Sequence, residues 1–213
     1  MCTFILREVL TMYIKIGKRT EFTEIQLREM YSLRAEVFKH KKGWEVQVID
    51  GMELDGYDAL DPYYVIANRS IDNRVSGCWR IIPTVRPYML EHTFPELLYG
   101  QCAPKAASIW ELSRFAIIAE QNRSMAFSDI TLEVIRKVFE FGVSQGVSEF
   151  VTVTVPGIER MLRRQGLVIR RYGPPIQVGV ERAVAIMIKL NKVSLAAVGI
   201  VDQEKLQNQE LAA

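Results

Sequence analysis

Histidine and cysteine are scarce in this sequence. Its 213 residues include two histidines, His40 and His92, and three cysteines, Cys2, Cys78 and Cys102. No Cys-x-x-Cys pair and no His/Cys cluster with the spacing of zinc ligands occurs, so we predict no metal site. Three widely spaced cysteines give no disulfide framework, and we interpret Cys78 and Cys102 as reduced core thiols of a cytoplasmic protein.

Long apolar runs are absent as well. No stretch approaches the roughly 18–20 apolar residues that a membrane-spanning helix requires. The first apolar stretch contains Arg7 and Glu8 and no small-residue cleavage site follows, so the sequence predicts neither a secretory signal nor a membrane association. Hydrophobic residues make up 49% of the chain and charged residues 24%, a composition that is typical of globular domains and argues against disorder.

The length favours one domain, because domains commonly have about 100–200 residues. We expect this domain to span residues 1–213, with its core at about 12–192. Residues 1–11 are interpreted as an N-terminal extension, and the residues from about 200 to 213 as a weakly anchored polar tail.

Charge is unevenly distributed, although the formal net charge is only +2. Residues 44–66 contain six acidic residues and no Lys or Arg, whereas residues 156–192 contain eight basic residues and two acidic ones. Charge alone does not distinguish two binding surfaces from two solvated patches.

Hydrophobic periodicity predicts an α/β fold. A capping box at Thr23 marks the start of one helix, and Ser128 can cap a long second helix with an apolar stripe. Residues 44–61 are predicted to be an irregular loop, and short helices are expected near 94–99 and at Ile158–Arg164. This order implies a mixed, twisted sheet with helices on both faces. Strands are predicted at Met12–Ile16, Tyr63–Asn68, Val75–Ile82, Ser108–Ala116, Phe150–Val155, Val168–Arg170 and Ala183–Leu190.

Arg34 lies within the apolar stripe of the first helix, seven residues after Leu27 and four before Phe38. An arginine in such a position is rarely buried without a carboxylate partner. It either extends along the edge of the core with its charge in water or pairs with the acidic segment. The spacing leaves both interpretations open.

Further charged residues lie in otherwise apolar segments. Asp55 and Asp58 are either a pair that orients arginines or an ammonium group or part of a solvated loop. Arg80 lies on a predicted strand. Glu111 and Arg114 are three residues apart on another strand, which places them on opposite faces unless a bulge intervenes. Together these residues favour a site for a zwitterionic substrate over a purely stabilising role.

One motif is discounted. Gly142-Val-Ser-Gln-Gly146 matches the G-x-S-x-G pattern of hydrolase nucleophile elbows. The elbow requires a strand that enters a helix, but this motif lies where a helix leads into a strand. Both histidines also precede it. We therefore interpret it as the C-terminal turn of a helix that ends through Gly146.

An ordered set of short motifs resembles the signature of the acyl-homoserine-lactone synthases, the LuxI-type autoinducer synthases of bacterial quorum sensing. The resemblance covers roughly residues 12–190 and is closest in wording to long-chain 3-oxo-acyl producers. The motifs are Arg34-x-x-x-Phe38, Gly43-Trp44-Glu45, Glu53-x-Asp55-x-x-Asp58, Cys78-x-Arg80, Thr93-Phe-Pro and Trp110-Glu-Leu-Ser-Arg-Phe115.

The resemblance implies a fold similar to that of the GCN5-related N-acetyltransferases. It also implies an acyltransferase that moves an acyl group from acyl carrier protein to the amine of S-adenosylmethionine. Lactonisation then releases methylthioadenosine, and S-adenosylmethionine is a consumed substrate, so no cofactor is expected. The alternative is a GCN5-like N-acyltransferase that uses acyl-CoA and another amine.

The resemblance also assigns roles to residues of this chain. Glu111 is expected to be the general base, with Ser113 and Arg114 beside the thioester and the pantetheine arm. The acidic segment is expected to balance the charge of the sulfonium substrate, and aromatic faces attract that charge as well. The residues expected to bind S-adenosylmethionine are Arg34, Phe38, Trp44, Asp55, Asp58 and Arg80.

The remaining roles concern the acyl donor. Thr152 matches a position associated with 3-oxo chains, although a threonine in a buried strand is often part of the core. Arg160, Arg163 and Arg164 fall at helical spacings and are expected to dock the acidic carrier protein; a solvated basic face is the alternative. A nucleic-acid partner is not expected, because no helix-turn-helix pattern or interleaved aromatics accompany the basic residues.

Overall fold

The computed structural model describes residues 12–118 and 129–200. The predicted Ser128 cap, the predicted extension at residues 1–11 and residues 201–213 lie outside the described residues.

The described elements alternate between strands and helices along the chain. The helices are α1 (Glu24–Arg34), α2 (Met89–His92), α3 (Asp129–Ser144), α4 (Pro156–Arg164) and α5 (Lys192–Ala197). A π-helical segment, Ala35–Lys41, continues α1, and 3₁₀ turns span Arg19–Glu21, Gly56–Leu60 and Pro95–Leu98. The strands are β1 (Met12–Lys18), β2 (Val48–Ile49), β3 (Met52–Glu53), β4 (Tyr63–Arg69), β5 (Val75–Pro83), β6 (Ile109–Ile117), β7 (Glu149–Thr154), β8 (Ile169–Arg171), β9 (Ile176–Val178) and β10 (Glu181–Lys189).

Eight strands form one mixed sheet in the order β1-β4-β5-β6-β7-β10-β8, with β9 pairing to β10. The β6–β7 pair is parallel and the other pairs in this sheet are antiparallel. Strands β2 and β3 form a separate hairpin. The predicted mixed sheet is therefore confirmed, and the only parallel step in the described sheet lies at its centre.

Helices cover both faces of the sheet, as predicted. Successive residues of a strand point to opposite faces, and β4 shows this directly. Val65 packs in a cluster with Val138 of α3, whereas Tyr64 packs in a second cluster with Met30 of α1. A third cluster, which includes Val151 of β7, covers the α1 side of the sheet at β7 and β10. The candidate site lies on that α1 side.

Most predicted elements are present within a few residues of their predicted limits. Thr23 caps α1 and Gln26 completes the capping box. Helices α2 and α5 and strands β2, β3 and β9 were not predicted. Residues 44–61 contain the β2–β3 hairpin and a 3₁₀ turn instead of an irregular loop throughout. Cys78 is buried as predicted, but Cys102 is exposed, so its interpretation as a core thiol was wrong.

The G-x-S-x-G segment forms the end of α3, as predicted from its context. Gly146 has a φ of +74°, and the backbone N–H of Val147 donates to the carbonyl of Gly142 at 2.8 Å. These are features of a helix C-terminal turn. The chain then enters β7, so the segment has no elbow geometry.

We predict that Gly142→Ala destabilises the protein by about 1–3 kcal/mol, because a methyl group there overpacks the core. A Cβ at Gly142 would lie 2.7 Å from the ring of Phe150 and 3.0 Å from Leu190. Gly157→Ala in α4 is the matched control, since nothing lies within 4 Å of its added Cβ. Chemical denaturation should show a loss for the first variant and none for the second; equal stabilities would contradict the packing at Gly142.

Within residues 12–118 and 129–200, the helices are too short or too polar to cross a lipid bilayer.

Candidate active site

Helix α1 places Arg34 in the core at its last turn. Met30 and Tyr31 are buried on the same helix, and Arg34 has none of its surface exposed. Its Nη1 and Nη2 donate to the two carboxylate oxygens of Asp58 at 2.9 Å each, and its Nε donates to Glu53. Of the two interpretations of Arg34, the structure therefore favours the pair with the acidic segment.

The acidic segment folds into a turn that orients two carboxylates. Asp55 caps the Gly56–Leu60 turn and accepts a hydrogen bond from the backbone N–H of Tyr57 at 2.9 Å. Asp58 accepts from the backbone N–H of Asp55 at 2.9 Å. This reciprocal capping fixes both side chains locally. The side chains of Asp58 and Asp55 are only 3% and 19% exposed, so they are not part of a solvated loop.

Three arginines and three carboxylates join into one arginine–carboxylate network on this face of the sheet. Arg80 donates to both oxygens of Asp55 and lies 3.1 Å from an oxygen of Asp58. Arg114 lies 3.0 Å from Glu53 and 2.8 Å from Asp55. The members of the network are Arg34, Arg80, Arg114, Glu53, Asp55 and Asp58.

The network is electrically balanced. Burial alone would raise the pKa of Asp58, but the adjacent guanidinium of Arg34 outweighs this and lowers that pKa well below its usual range. Burial would likewise lower the pKa of Arg34, and Asp58 raises it above its ordinary value. The three arginines thus neutralise three of the acidic residues at 44–66. The expectation that the acidic segment balances the charge of the sulfonium substrate stays a prediction.

No group of three His, Cys, Asp or Glu side chains in the described part of the chain could bind a metal ion. The carboxylates of the network are already paired with guanidinium groups.

A β-bulge in β6 brings Arg114 to the same face as Glu111. The register between β5 and β6 shifts between Cys78 and Arg80, so two residues of β6 lie opposite one residue of β5. Arg114 has a φ of +58°, in the left-handed region that non-glycine residues rarely adopt. The bulge that a shared site for Glu111 and Arg114 requires is therefore present.

Glu111 is buried beside the network. Its two carboxylate oxygens accept hydrogen bonds from the backbone N–H groups of Met89, at 3.0 Å, and Leu90, at 2.7 Å. The sulfur of Met89 lies 3.1 Å from Nη2 of Arg80 and 3.4 Å from Nη1 of Arg114. Burial raises the pKa of Glu111 to about 7, although the two amides and the arginines act in the opposite direction. A carboxyl group that titrates near neutrality is suited to general-base catalysis.

Phe38 and Trp44 form an aromatic pair beside the network. Their ring centroids are 5.0 Å apart and their planes differ by 12°. The guanidinium of Arg114 lies 5.5 Å from the Phe38 ring. The indole N–H of Trp44 donates to Glu181 at 2.7 Å, and the ammonium of Lys42 lies 4.9 Å from the Trp44 ring. The aromatic pair therefore connects the network with the start of β10.

The central strands separate next to Ser113. In the described sheet, the parallel pairing of β6 with β7 ends at Leu112 and Thr152. Ser113 follows directly, and its hydroxyl accepts a hydrogen bond from Nε of Arg80 at 3.1 Å. Backbone groups of β6 beyond Leu112 that face β7 are consequently available to a group that enters between the two strands.

Thr152 points to the opposite face of the sheet from Glu111. It is paired in register with Leu112 and Ile186, and both belong to the cluster beneath α3. Thr152 is buried there. The structure therefore does not bring Thr152 together with the network, although it lies at the point where β6 and β7 separate.

The three arginines predicted to dock a carrier are exposed on α4, but they are not equivalent. Arg163 donates to Glu159 at 2.9 Å, and Arg171 pairs with the same buried carboxylate. Arg160 and Arg164 form no ion pair with another residue of the described ranges. Of the three arginines, Arg160 and Arg164 are therefore the two whose charges are not paired within the described ranges.

Three contributing residues were not predicted individually. Glu53 has no exposed surface and links Arg34 to Arg114. The sequence feature that could have indicated Glu53 is its position in the acidic motif, two residues before Asp55. Met89 contacts the network through its sulfur, and Glu181 reaches Trp44 across 137 positions of sequence. No local pattern could have indicated these last two contacts.

Comparisons with known proteins identify the family of this chain. The family model described as autoinducer synthase matches residues 18–198. The acyl-homoserine-lactone synthase of Pseudomonas aeruginosa is 48% identical over 198 residues, which cover 92% of this chain and 98% of that protein. The crystal structure of the synthase LasI matches with a TM-score of 0.83 and 50% identity, over 89% of this chain and 95% of that one.

Two further solved structures are similar to this chain at lower sequence identity. The CoA-dependent acyl-homoserine lactone synthase BjaI, solved with S-adenosylmethionine and isopentyl-CoA, matches with a TM-score of 0.77 and 25% identity over 88% of each chain. An N-acetyltransferase-like protein from Lactobacillus plantarum, 14% identical with a TM-score of 0.57 over 84% of this chain and 99% of that one, shares the fold alone. The expected GCN5-like fold is thus confirmed. The chain belongs to the autoinducer synthase family and is an acyltransferase of the acyl-homoserine-lactone synthase class.

Proposed function

We propose that the chain transfers an acyl group from acyl carrier protein to the amine of S-adenosylmethionine and then closes the lactone with release of methylthioadenosine. The observation that carries this proposal is the buried Glu111 carboxyl, whose pKa is raised to about 7, on the face that also holds the network. The presence of S-adenosylmethionine in the related BjaI structure supports the choice of amine substrate.

The first step requires a base. The α-ammonium of S-adenosylmethionine must lose a proton before its nitrogen can attack the thioester carbonyl. We assign this proton to Glu111, directly or through one water molecule. The new amide bond forms as the carbon–sulfur bond of the thioester breaks. The nitrogen gives its second proton to the departing thiolate of the carrier, and Glu111 releases the first proton to solvent.

The second step requires no further protein nucleophile. The carboxylate of the acylated substrate attacks its own γ-carbon, and the bond from that carbon to the sulfonium sulfur breaks. The electron pair leaves with methylthioadenosine, which neutralises the sulfonium. The protein contributes orientation: the network fixes Arg80 and Arg114 beside the reacting groups.

The place where β6 and β7 separate, beyond Leu112 and Thr152, forms a gap that suits the acyl donor. Backbone N–H groups of β6 beyond Leu112 can polarise the thioester carbonyl there, and Ser113 and Arg114 lie at the entrance. Thr152 lies at the same point but faces the apolar side beneath α3. A long acyl chain that passes through the gap would meet this threonine, and its hydroxyl would then bind the oxygen of a 3-oxo group.

Product analysis with a panel of donors tests the proposed function. Purified protein is incubated with S-adenosylmethionine and with acyl carrier proteins or coenzyme A that carry chains of several lengths, with and without a 3-oxo group. The proposal expects methylthioadenosine and a lactone with long-chain 3-oxo-acyl carrier protein. Absence of methylthioadenosine with every donor would contradict it.

Coenzyme A is a second candidate donor, because the related BjaI structure contains isopentyl-CoA. In the donor panel, a higher kcat/KM with acyl-CoA than with the matching acyl carrier protein would favour it. Amide formation with another amine, without methylthioadenosine, would instead indicate a general N-acyltransferase.

The exposed arginines of α4 give the carrier protein proposal its own test. We predict that Arg160→Glu combined with Arg164→Glu raises KM for acyl carrier protein about tenfold or more, because like charges then face an acidic partner. KM for S-adenosylmethionine should stay unchanged. Lys105→Glu, an exposed charge reversal on another part of the surface, is the control. Unchanged carrier KM in the double variant would refute the docking role.

A further inference from the structure

Glu181 touches the aromatic pair from a distant part of the chain. It is the first residue of β10, and one of its oxygens accepts the indole N–H of Trp44 at 2.7 Å. The ammonium of Lys42 lies 3.1 and 3.2 Å from the two oxygens of the same carboxylate. Glu181 therefore joins the segment that follows the π-helix to the β9–β10 hairpin.

These contacts restrict the orientation of the indole ring. Trp44 has a single side-chain donor, and that donor is directed at Glu181. One ring face stacks on Phe38, whose own ring lies against the guanidinium of Arg114. A rotation of Trp44 about its side-chain bonds would break either the hydrogen bond or the stacking. The carboxylate and Phe38 together fix the plane of the ring.

We propose that Glu181 is a positioning residue that orients Trp44 for binding of S-adenosylmethionine; this inference rests on the proposed function. Glu181 makes no contact with the arginine–carboxylate network, so it acts through the indole. With the ring oriented beforehand, the substrate does not have to order it, and less binding energy is lost on association.

Stability alone does not account for this arrangement. The side chains of Glu181 and Lys42 are 30% and 31% exposed, and ion pairs of that exposure contribute little to folding. The proposal therefore expects Glu181 variants to alter substrate binding while they leave thermal stability close to that of the wild type.

Three variants separate positioning from other effects. Glu181→Ala removes the acceptor and the charge, whereas Glu181→Gln keeps an acceptor oxygen for the indole N–H. Glu36→Ala is the matched control, because Glu36 is an exposed partner of Lys41 in the π-helical segment that carries Phe38. We expect Glu181→Ala to raise KM for S-adenosylmethionine about tenfold with kcat within twofold of the wild type. Glu181→Gln should restore most of the affinity, and Glu36→Ala should match the wild type.

The indole N–H resonance of Trp44 provides a readout that does not depend on substrate identity. It is assigned in the ¹⁵N-labelled protein by its loss in Trp44→Phe. The proposal predicts an upfield proton shift in Glu181→Ala, because the hydrogen bond to the carboxylate is lost, and a smaller shift in Glu181→Gln. If the wild type makes no methylthioadenosine, the proposed function fails while this resonance still tests the positioning. An unchanged resonance, or an unchanged KM in Glu181→Ala, overturns the inference.

Discussion

Replacing Arg34 with methionine should lower the free energy of unfolding by about 3–5 kcal/mol, because the change leaves two buried carboxylates without their shared cation. Arg34 has no exposed surface, and it donates to both Glu53 and Asp58. This loss would be a large share of the free energy of unfolding of a typical domain, which is about 5–15 kcal/mol. Urea denaturation followed by circular dichroism measures the change.

Two further variants keep this prediction testable if Arg34→Met does not fold. Arg34→Lys retains the charge but loses the planar fork that matches Asp58, so we expect a smaller loss of about 1–3 kcal/mol. Arg28→Met on the same helix is the control, because Arg28 forms only an exposed pair with Glu24 and its loss should cost under about 0.5 kcal/mol. Equal stability of the Arg34 and Arg28 variants would contradict the buried network.

Glu111→Gln should reduce kcat by about 10²–10⁴-fold, the usual contribution of a general base, while the protein stays folded. The amide is similar in size but cannot accept the proton of the substrate ammonium. Glu149→Gln at the start of β7 is the control and should turn over at the wild-type rate. Wild-type turnover by Glu111→Gln would exclude Glu111 as the base.

The same variant gives a stability prediction with a defined sign. In the folded protein the pKa of Glu111 is raised from 4.5 to about 7. Between pH 4.5 and pH 7, the Glu111 carboxyl is therefore protonated in the native state and ionised in the unfolded chain. Wild-type stability should therefore fall by about 3 kcal/mol relative to Glu111→Gln as the pH rises from 4.5 to 7. Below 4.5 the Gln variant should be the less stable, because one backbone N–H of α2 loses its acceptor. A difference that does not vary with pH would show that Glu111 titrates normally.

The long strands and α1 were predictable because their signals are local. The capping box at Thr23 and the β-branched runs of β4, β5 and β7 depend on neighbouring residues alone. The bulge at Arg114 was also foreseeable, since Glu111 and Arg114 share a site only if the strand alternation is broken between them. Helix α2 was not predicted, because it has four residues and its first backbone N–H groups depend on a distant acceptor. That acceptor, Glu111, lies twenty-two positions from Met89 and twenty-one from Leu90.

The contacts of the site were less predictable than its residues. The sequence indicated that arginines and carboxylates would meet, but the partner of each depends on the packing of α1 and the acidic turn on the sheet. Thr152 shows the same limit: its strand was predicted, yet the pleat of the sheet places its side chain on the face opposite to Glu111. Arg163 was grouped with Arg160 by spacing, and only the fold reveals that Arg163 shares the Glu159 carboxylate with Arg171.

Isotope tracing in the product tests the central claim most directly. The protein is given a long-chain 3-oxo-acyl donor and S-adenosylmethionine in which both carboxylate oxygens are ¹⁸O, and the lactone is analysed by mass spectrometry. Attack of the carboxylate on the γ-carbon makes one labelled oxygen the ring atom and leaves the other in the carbonyl group, so the account predicts a lactone that retains both labels. A lactone that retains one label, or an acylated amine without a lactone, would contradict it.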